Sequence, residues 1–249
     1  SPTYIGEVEV KNTFKPGEMG PAIESLPTAP PAEAFVITGD CQYRFANGGW
    51  DWFIDLYGNQ VTTNAISSAD HMFSYCKASE LLFNLNFING GGPCGYLFSG
   101  SAFTRIPSID FKHTTSYKSG NYLFNSCYKL AEIGKMTNYY PDNMNYLFCS
   151  CYNLRYLPEM ENWNFSRVHS YAYSNLSTMF QNCYSLRSIP ESFLKELYGI
   201  QSTQYNLVTY NGFSNCVALD EIRGLRLTNY GASVTGNAFM YAFDNCYRL

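Results

Sequence analysis

Apolar residues recur along most of this chain in one order. A phenylalanine is followed three places on by cysteine, six places on by leucine and nine places on by an aliphatic residue, with polar residues between; "MFQNCYSLRSIPESF", from Met179 to Phe193, is one instance. The anchors are Phe73, Phe98, Phe124, Phe148, Phe180, Phe213 and Phe243, spaced by 25, 26, 24, 32, 33 and 30 residues. Three places on stand Cys76, Cys127, Cys151, Cys183, Cys216 and Cys246, with Ser101 in the second repeat. Six places on stand Leu130, Leu154, Leu186, Leu219 and Leu249, while the first two repeats have Ser79 and Thr104. Nine places on stand Leu82, Pro107, Ile133, Leu157, Ile189 and Ile222, and in the second repeat Ile106 fills the apolar role one place early. Periods of roughly 20–50 residues mark stacked arrays, because each unit is too small to bury its own apolar face. Phe and Cys three apart suit the inner side of a short helical turn. The aliphatic pair that follows suits a short strand, and Pro158 and Pro190 end its hydrogen bonding. The expected fold is an α/β leucine-rich-repeat solenoid over residues 71–249, with one short parallel strand per coil.

Upstream the pattern changes. Residues 1–35 combine "YIGEVEV", with Ile5, Val8 and Val10 as a strand signal, and a proline-rich stretch from Pro16 that reads as an extended linker. Residues 36–70 open with a strand signal at Phe35–Thr38. In "WDWFIDLYG", Trp50, Phe53, Ile54 and Tyr57 fall on one helical face, and Gly58 stops the helix. Stacked repeats need their exposed ends covered, so 36–70 is read as an N-terminal aromatic cap.

Composition narrows the function classes. With 46% hydrophobic and 14% charged residues the chain is not of the disordered kind. A net charge of −4 without a basic run leaves nothing to neutralise phosphates, so nucleic acid is not an expected partner. No stretch reaches the ~20 apolar residues of a membrane helix, so membrane insertion is not expected. The excess lies in the 22 tyrosines, more than a core readily satisfies, since each hydroxyl needs a partner or water.

Nine cysteines raise the question of bridges. Equivalent positions in adjacent coils lie about 4.8 Å apart, within bridging distance. One cysteine per repeat, all pointing the same way and replaceable by Ser101, fits a column of buried reduced thiols better; Cys41, Cys94 and Cys149 fall outside that column. The Cys149–Cys151 pair lacks the second ligand pair that structural zinc requires, so no metal is expected. "GGGPCG" at Gly90–Gly95 matches a dinucleotide fingerprint in letters, but Pro93 removes an amide and the motif precedes a repeat; no cofactor is expected. His71, His113 and His169 sit in no hydrolase or metalloprotease motif. Acidic pairs such as Glu159/Glu161 and Glu191/Glu196 fall in loops or a short helix. The chain is therefore read as non-enzymatic.

The repeating (M/L/A/G)-F-x-x-C-x-x-L-x-x-(I/L)-P pattern over about residues 70–249 resembles the BspA-type leucine-rich repeats of bacterial surface proteins. The lead-in "ITGDCQYRFANGGWDWFIDLYG" resembles that of repeat proteins in gut bacteria and their phages. The resemblance implies a recognition or adhesion module on a bacterial surface or a phage particle, outside the cell. Between the anchors lie "KMTNYYPDNMNY", "EMENWNFSRVHSYAYSNLS" and "LYGIQSTQYNLVTYNG", the last two in the longer repeats. Insertions in solenoids gather on one side, and Tyr and Trp give wide contact at low entropy cost. Tyr139, Tyr140, Trp163, Tyr171, Tyr173, Tyr205 and Tyr210 are the expected contact residues for a host-cell or surface protein or glycan. The alternative is a structural virion component, in tail, fibre or capsid, that self-associates.

Overall fold

The computed structural model describes residues 35–48, 61–87, 93–112, 118–165, 178–198, 211–224 and 240–249. These form a parallel β-solenoid with little helix. Its strands are β1 (Phe35–Asp40), β2 (Val61–Ser68), β3 (Leu85–Asn86), β4 (Arg105–Ile106), β5 (Ile109–Asp110), β6 (Lys118–Ser119), β7 (Glu132–Ile133), β8 (Met136–Thr137), β9 (Pro141–Asn143), β10 (Met160–Glu161), β11 (Ser188–Ile189) and β12 (Glu221–Ile222), with one helix, α1 (Glu191–Tyr198). Every described pairing is parallel and joins one coil to another: β1 with β2, β3-β5-β8-β10 in one sheet, β4 with β7, β6 with β9, and β11 with β12. The single strand per coil expected from sequence is found as one described strand in most coils, while the coils that run from Phe98 and from Phe124 carry three each, of two or three residues and in separate sheets.

The anchoring phenylalanines stand directly above one another. Phe45, Phe73, Phe98, Phe124, Phe148, Phe180, Phe213 and Phe243 form one continuous stack, with neighbouring centroids 5.1–5.7 Å apart and ring planes within 12°. All but Phe243 are buried, so each contributes roughly 1.5–3 kcal/mol of apolar burial. The stack begins at Phe45, inside the segment expected to be the cap. Residues 35–48 are therefore a coil of the solenoid, while the "WDWFIDLYG" helix falls at residues outside those described.

The arc around each Phe is not helical. The residue two places before the anchor is left-handed in every coil: Tyr43, His71, Tyr96, Tyr122, Tyr146, Thr178, Asn211 and Tyr241 have φ of 52–57°. So is the residue two places after it: Asn47, Tyr75, Gly100, Ser126, Ser150, Asn182, Asn215 and Asn245. These paired reversals turn alternate N–H groups toward the next coil. Phe45, Phe73, Phe98, Phe124, Phe148, Phe180 and Phe213 donate to the carbonyls of Met72, Leu97, Leu123, Leu147, Met179, Gly212 and Ala242. A helical turn would spend those donors within itself; this arc spends them between coils.

The two repeats that break the leucine pattern are one residue shorter at this point. Ala78 and Phe103 are buried in the role of the later leucines, one place early, while Ser79 and Thr104 are exposed. Leu81 (3% exposed), not Leu82 (47%), then points inward, in line with Ile106 and Ile133. At Pro190 strand β11 stops and α1 starts; the Pro190 carbonyl accepts from Phe193 at 3.1 Å. Proline removes a strand donor but is already set for a helix start. Lys195 and Glu191 pair across one turn at 2.7 Å.

Candidate recognition surface

Three kinds of side-chain column line the arcs, and each follows from the backbone beneath it. The innermost is the thiol column. Cys127, Cys151, Cys183, Cys216 and Cys246 each donate Sγ–H to the carbonyl of the Phe anchoring the preceding coil, at 3.0–3.1 Å. All nine cysteines are unbridged. Burial pushes the thiols of Cys151, Cys183 and Cys216 far above their ordinary range. Cys41 is pushed up to about 12 by burial, with Arg44 opposing and Asp40 adding. Cys41 and Cys94 belong to another inward column, four places before the anchor, shared with Ala69, Gly120 and Met144, all buried.

The second kind consists of amides in left-handed positions. Asn245 donates to Asn215 and Asn215 to Asn182, both at 2.7 Å, and Asn182 donates to the Ser150 hydroxyl at 3.3 Å. Asn tolerates this conformation because its short polar side chain bonds locally. A parallel series follows the four-stranded sheet, with Asn162 donating to Asn138 and Asn138 to Asp110. Burial raises the Asp110 carboxyl, but hydrogen bonds from Lys112 and Asn138 outweigh it and hold the group below its usual range.

The third kind is aromatic and ranges from half-buried to exposed. Two places before each anchor, Tyr43, His71, Tyr96, Tyr122 and Tyr146 stack face to face, with centroids 4.5–4.7 Å apart and planes within 10°. Four places after the anchor, Tyr128, Tyr152 and Tyr184 form a second, tilted row at 4.8 Å. Tyr128 and Tyr184 are exposed.

Of the contact residues expected from sequence, the structure brings two near each other. The Tyr140 hydroxyl donates to Asn162 at 3.1 Å, and Asn162 is the chain neighbour of Trp163. Trp163 is half-buried, edge-on to Phe165 at 5.1 Å and tilted against Phe193 at 5.7 Å. It lines a cleft of about 220 Å³ with Leu157, Pro158, Glu159, Met160, Pro190, Ser192 and Phe193. The walls come from two adjacent coils, where the Leu157–Pro158 pair precedes β10 and the Ile189–Pro190 pair ends β11. Glu159, which lines the cleft, and Glu161 both pair with Lys135.

Tyr139 is not a contact residue. It is fully buried among Phe111 and Phe165, and a ring without exposed surface cannot meet an external ligand. Tyr171, Tyr173, Tyr205 and Tyr210 lie outside the described residues, as do His113 and His169. Sequence reasoning missed the stacked row from Tyr43 to Tyr146. Its signal is the aromatic two places before the anchor in "YRF", "HMF" and three successive "YLF" triplets.

Among the described residues no group of three or more His, Cys, Asp or Glu side chains could hold a metal ion, and no helix is long and apolar enough to cross a membrane. The class of protein defined at this level is a parallel β-solenoid carrying aromatic, amide and thiol columns. No family model, curated protein or solved structure matches the chain.

Proposed function

We propose that this chain is a non-catalytic recognition or adhesion module of the BspA-like leucine-rich-repeat kind, displayed on a bacterial surface or a phage particle, and that it holds a protein or glycan ligand at the Trp163 cleft. The observation that carries the reading is the cleft itself. Drug-sized ligands occupy pockets of roughly 300–1,000 Å³; a cleft of about 220 Å³ accommodates one anchoring group of something larger. Trp163 offers a face for a sugar ring or an apolar side chain, and Glu159 and Ser192 add polar groups at the rim. The neighbouring Tyr140–Asn162 pair extends the contact along the solenoid. Elsewhere on the arcs, polar side chains hydrogen-bond along the axis in ladders, which suits a rigid display scaffold.

The test is a glycan-array and host-cell binding screen with wild type and Trp163→Ala, each checked for an unchanged melting transition. Loss of at least about tenfold in affinity, near the 1.4 kcal/mol expected for one aromatic anchor, supports the proposal. Equal binding by folded W163A, or no bound glycan or cell type, contradicts it.

A further inference from the structure

We infer that the row Tyr43, His71, Tyr96, Tyr122 and Tyr146 is a surface on which a second copy of this chain packs, row against row. The first ground is conformational. Each of the five is left-handed, with φ of 55–57°, a conformation that costs a bulky side chain roughly 1–3 kcal/mol. Asparagine occupies it cheaply, and Asn211 does so at the equivalent place in a later coil. Five consecutive coils nevertheless carry a ring there. Stacking offsets part of the cost, at about 0.5–1.5 kcal/mol per pair, and leaves the rings half-buried, with Tyr43 exposed and the edges of the others partly at the surface.

The second ground is metric. The ring faces are used within the row, so what remains for a partner is a line of ring edges repeating every 4.5–4.7 Å, with phenol oxygens on the four tyrosines and an imidazole at His71. Same-side residues of an extended peptide recur every ~6.8 Å, and turns of an α-helix every ~5.4 Å. Neither stays in register with this row. Side chains stacked across hydrogen-bonded strands repeat every ~4.7–4.8 Å, as another solenoid of this kind presents them. A phenol both donates and accepts a hydrogen bond. An identical row set antiparallel about a two-fold axis is therefore self-complementary, the isologous arrangement of most dimers. This surface shares no residue with the Trp163 cleft and does not depend on the recognition reading.

Sedimentation velocity of the full chain over a concentration series tests it. Wild type shifts from monomer to dimer. Y96N/Y122N keeps its circular dichroism and melting transition, because Asn suits both positions, and its association constant falls by at least about tenfold. Y96F/Y122F keeps every stacked ring, loses two hydroxyls and falls by a smaller factor. W163A dimerises like wild type, which separates this surface from the ligand cleft. Wild type that stays monomeric up to about 1 mM, or either folded double variant dimerising with unchanged affinity, overturns the inference.

Discussion

Tyr139 and Gly120 show how closely single residues are matched inside the tube. Gly120 belongs to the inward column four places before the anchor, yet the space a side chain would take is filled by the Tyr139 hydroxyl. A Cβ there would come within 2.9 Å of the Asn143 carbonyl and closer still to the Tyr139 oxygen. Gly120→Ala is expected to lose about 1–3 kcal/mol of stability from overpacking, read by denaturant unfolding. That hydroxyl is buried without a hydrogen-bond partner, so Tyr139→Phe removes an unsatisfied group and is expected to gain about 1 kcal/mol. A loss from Y139F would contradict this account of the site. The thiols make a second expectation at this scale. Burial raises the Cys41 thiol from 9.0 to about 12, so the folded state keeps a proton that the unfolded state releases. Stability from this group is complete below pH 9 and declines as pH rises through the window up to about 12. The eight buried thiols should resist alkylation at pH 8.5 and react only in denaturant. The thiol column was legible because one small apolar residue recurs at one place; the strain at Tyr96 or Tyr122 was not, because no local preference announces a left-handed tyrosine.

The elements were harder to read than the columns they carry. Strands such as Glu132–Ile133 span two residues, too few for a period of two to register, so the sequence suggested one strand where the coils from Phe98 and Phe124 have three. The Phe-to-Cys spacing of three matched a helical turn as well as it matches a doubly reversed arc, and only the left-handed residues at both flanks decide between them. Helix α1 was legible only as the short helix allowed for the Glu191/Glu196 pair. The amide ladder gives this scale its prediction. Asn215→Gly keeps the left-handed backbone and removes one rung, costing about 1 kcal/mol for the lost hydrogen bonds. Asn215→Ala removes the rung and adds a Cβ at φ 63°, costing a further ~1–2 kcal/mol. Equal effects of the two, measured by denaturant unfolding, would contradict the backbone assignment.

At the scale of the whole molecule, stacking makes every coil depend on its neighbours. In such arrays stability is close to a sum of unit and nearest-neighbour terms. Removing residues 124–147, one full coil, would leave Phe98 and Phe148 spaced 26 residues apart, a spacing the chain already uses. The shortened chain is expected to fold with a proportionally smaller denaturant dependence, whereas removal of half a coil should abolish folding. The extent of the solenoid was only partly legible. Phe45 stands 28 residues before Phe73 but has Gly48 where later repeats place cysteine, so its coil was hidden inside the expected cap. The Trp163 cleft needed α1 and two adjacent coils to come together, a juxtaposition that no local pattern carries. The most direct measurement is of ring-to-ring nuclear Overhauser effects in a sample protonated only on phenylalanine rings. Cross-peaks linking Phe45 to Phe73, Phe73 to Phe98, Phe98 to Phe124 and onward to Phe243 are the predicted result. Anchors that show no cross-peaks with their neighbours in this order, or that couple to distant anchors instead, would contradict it.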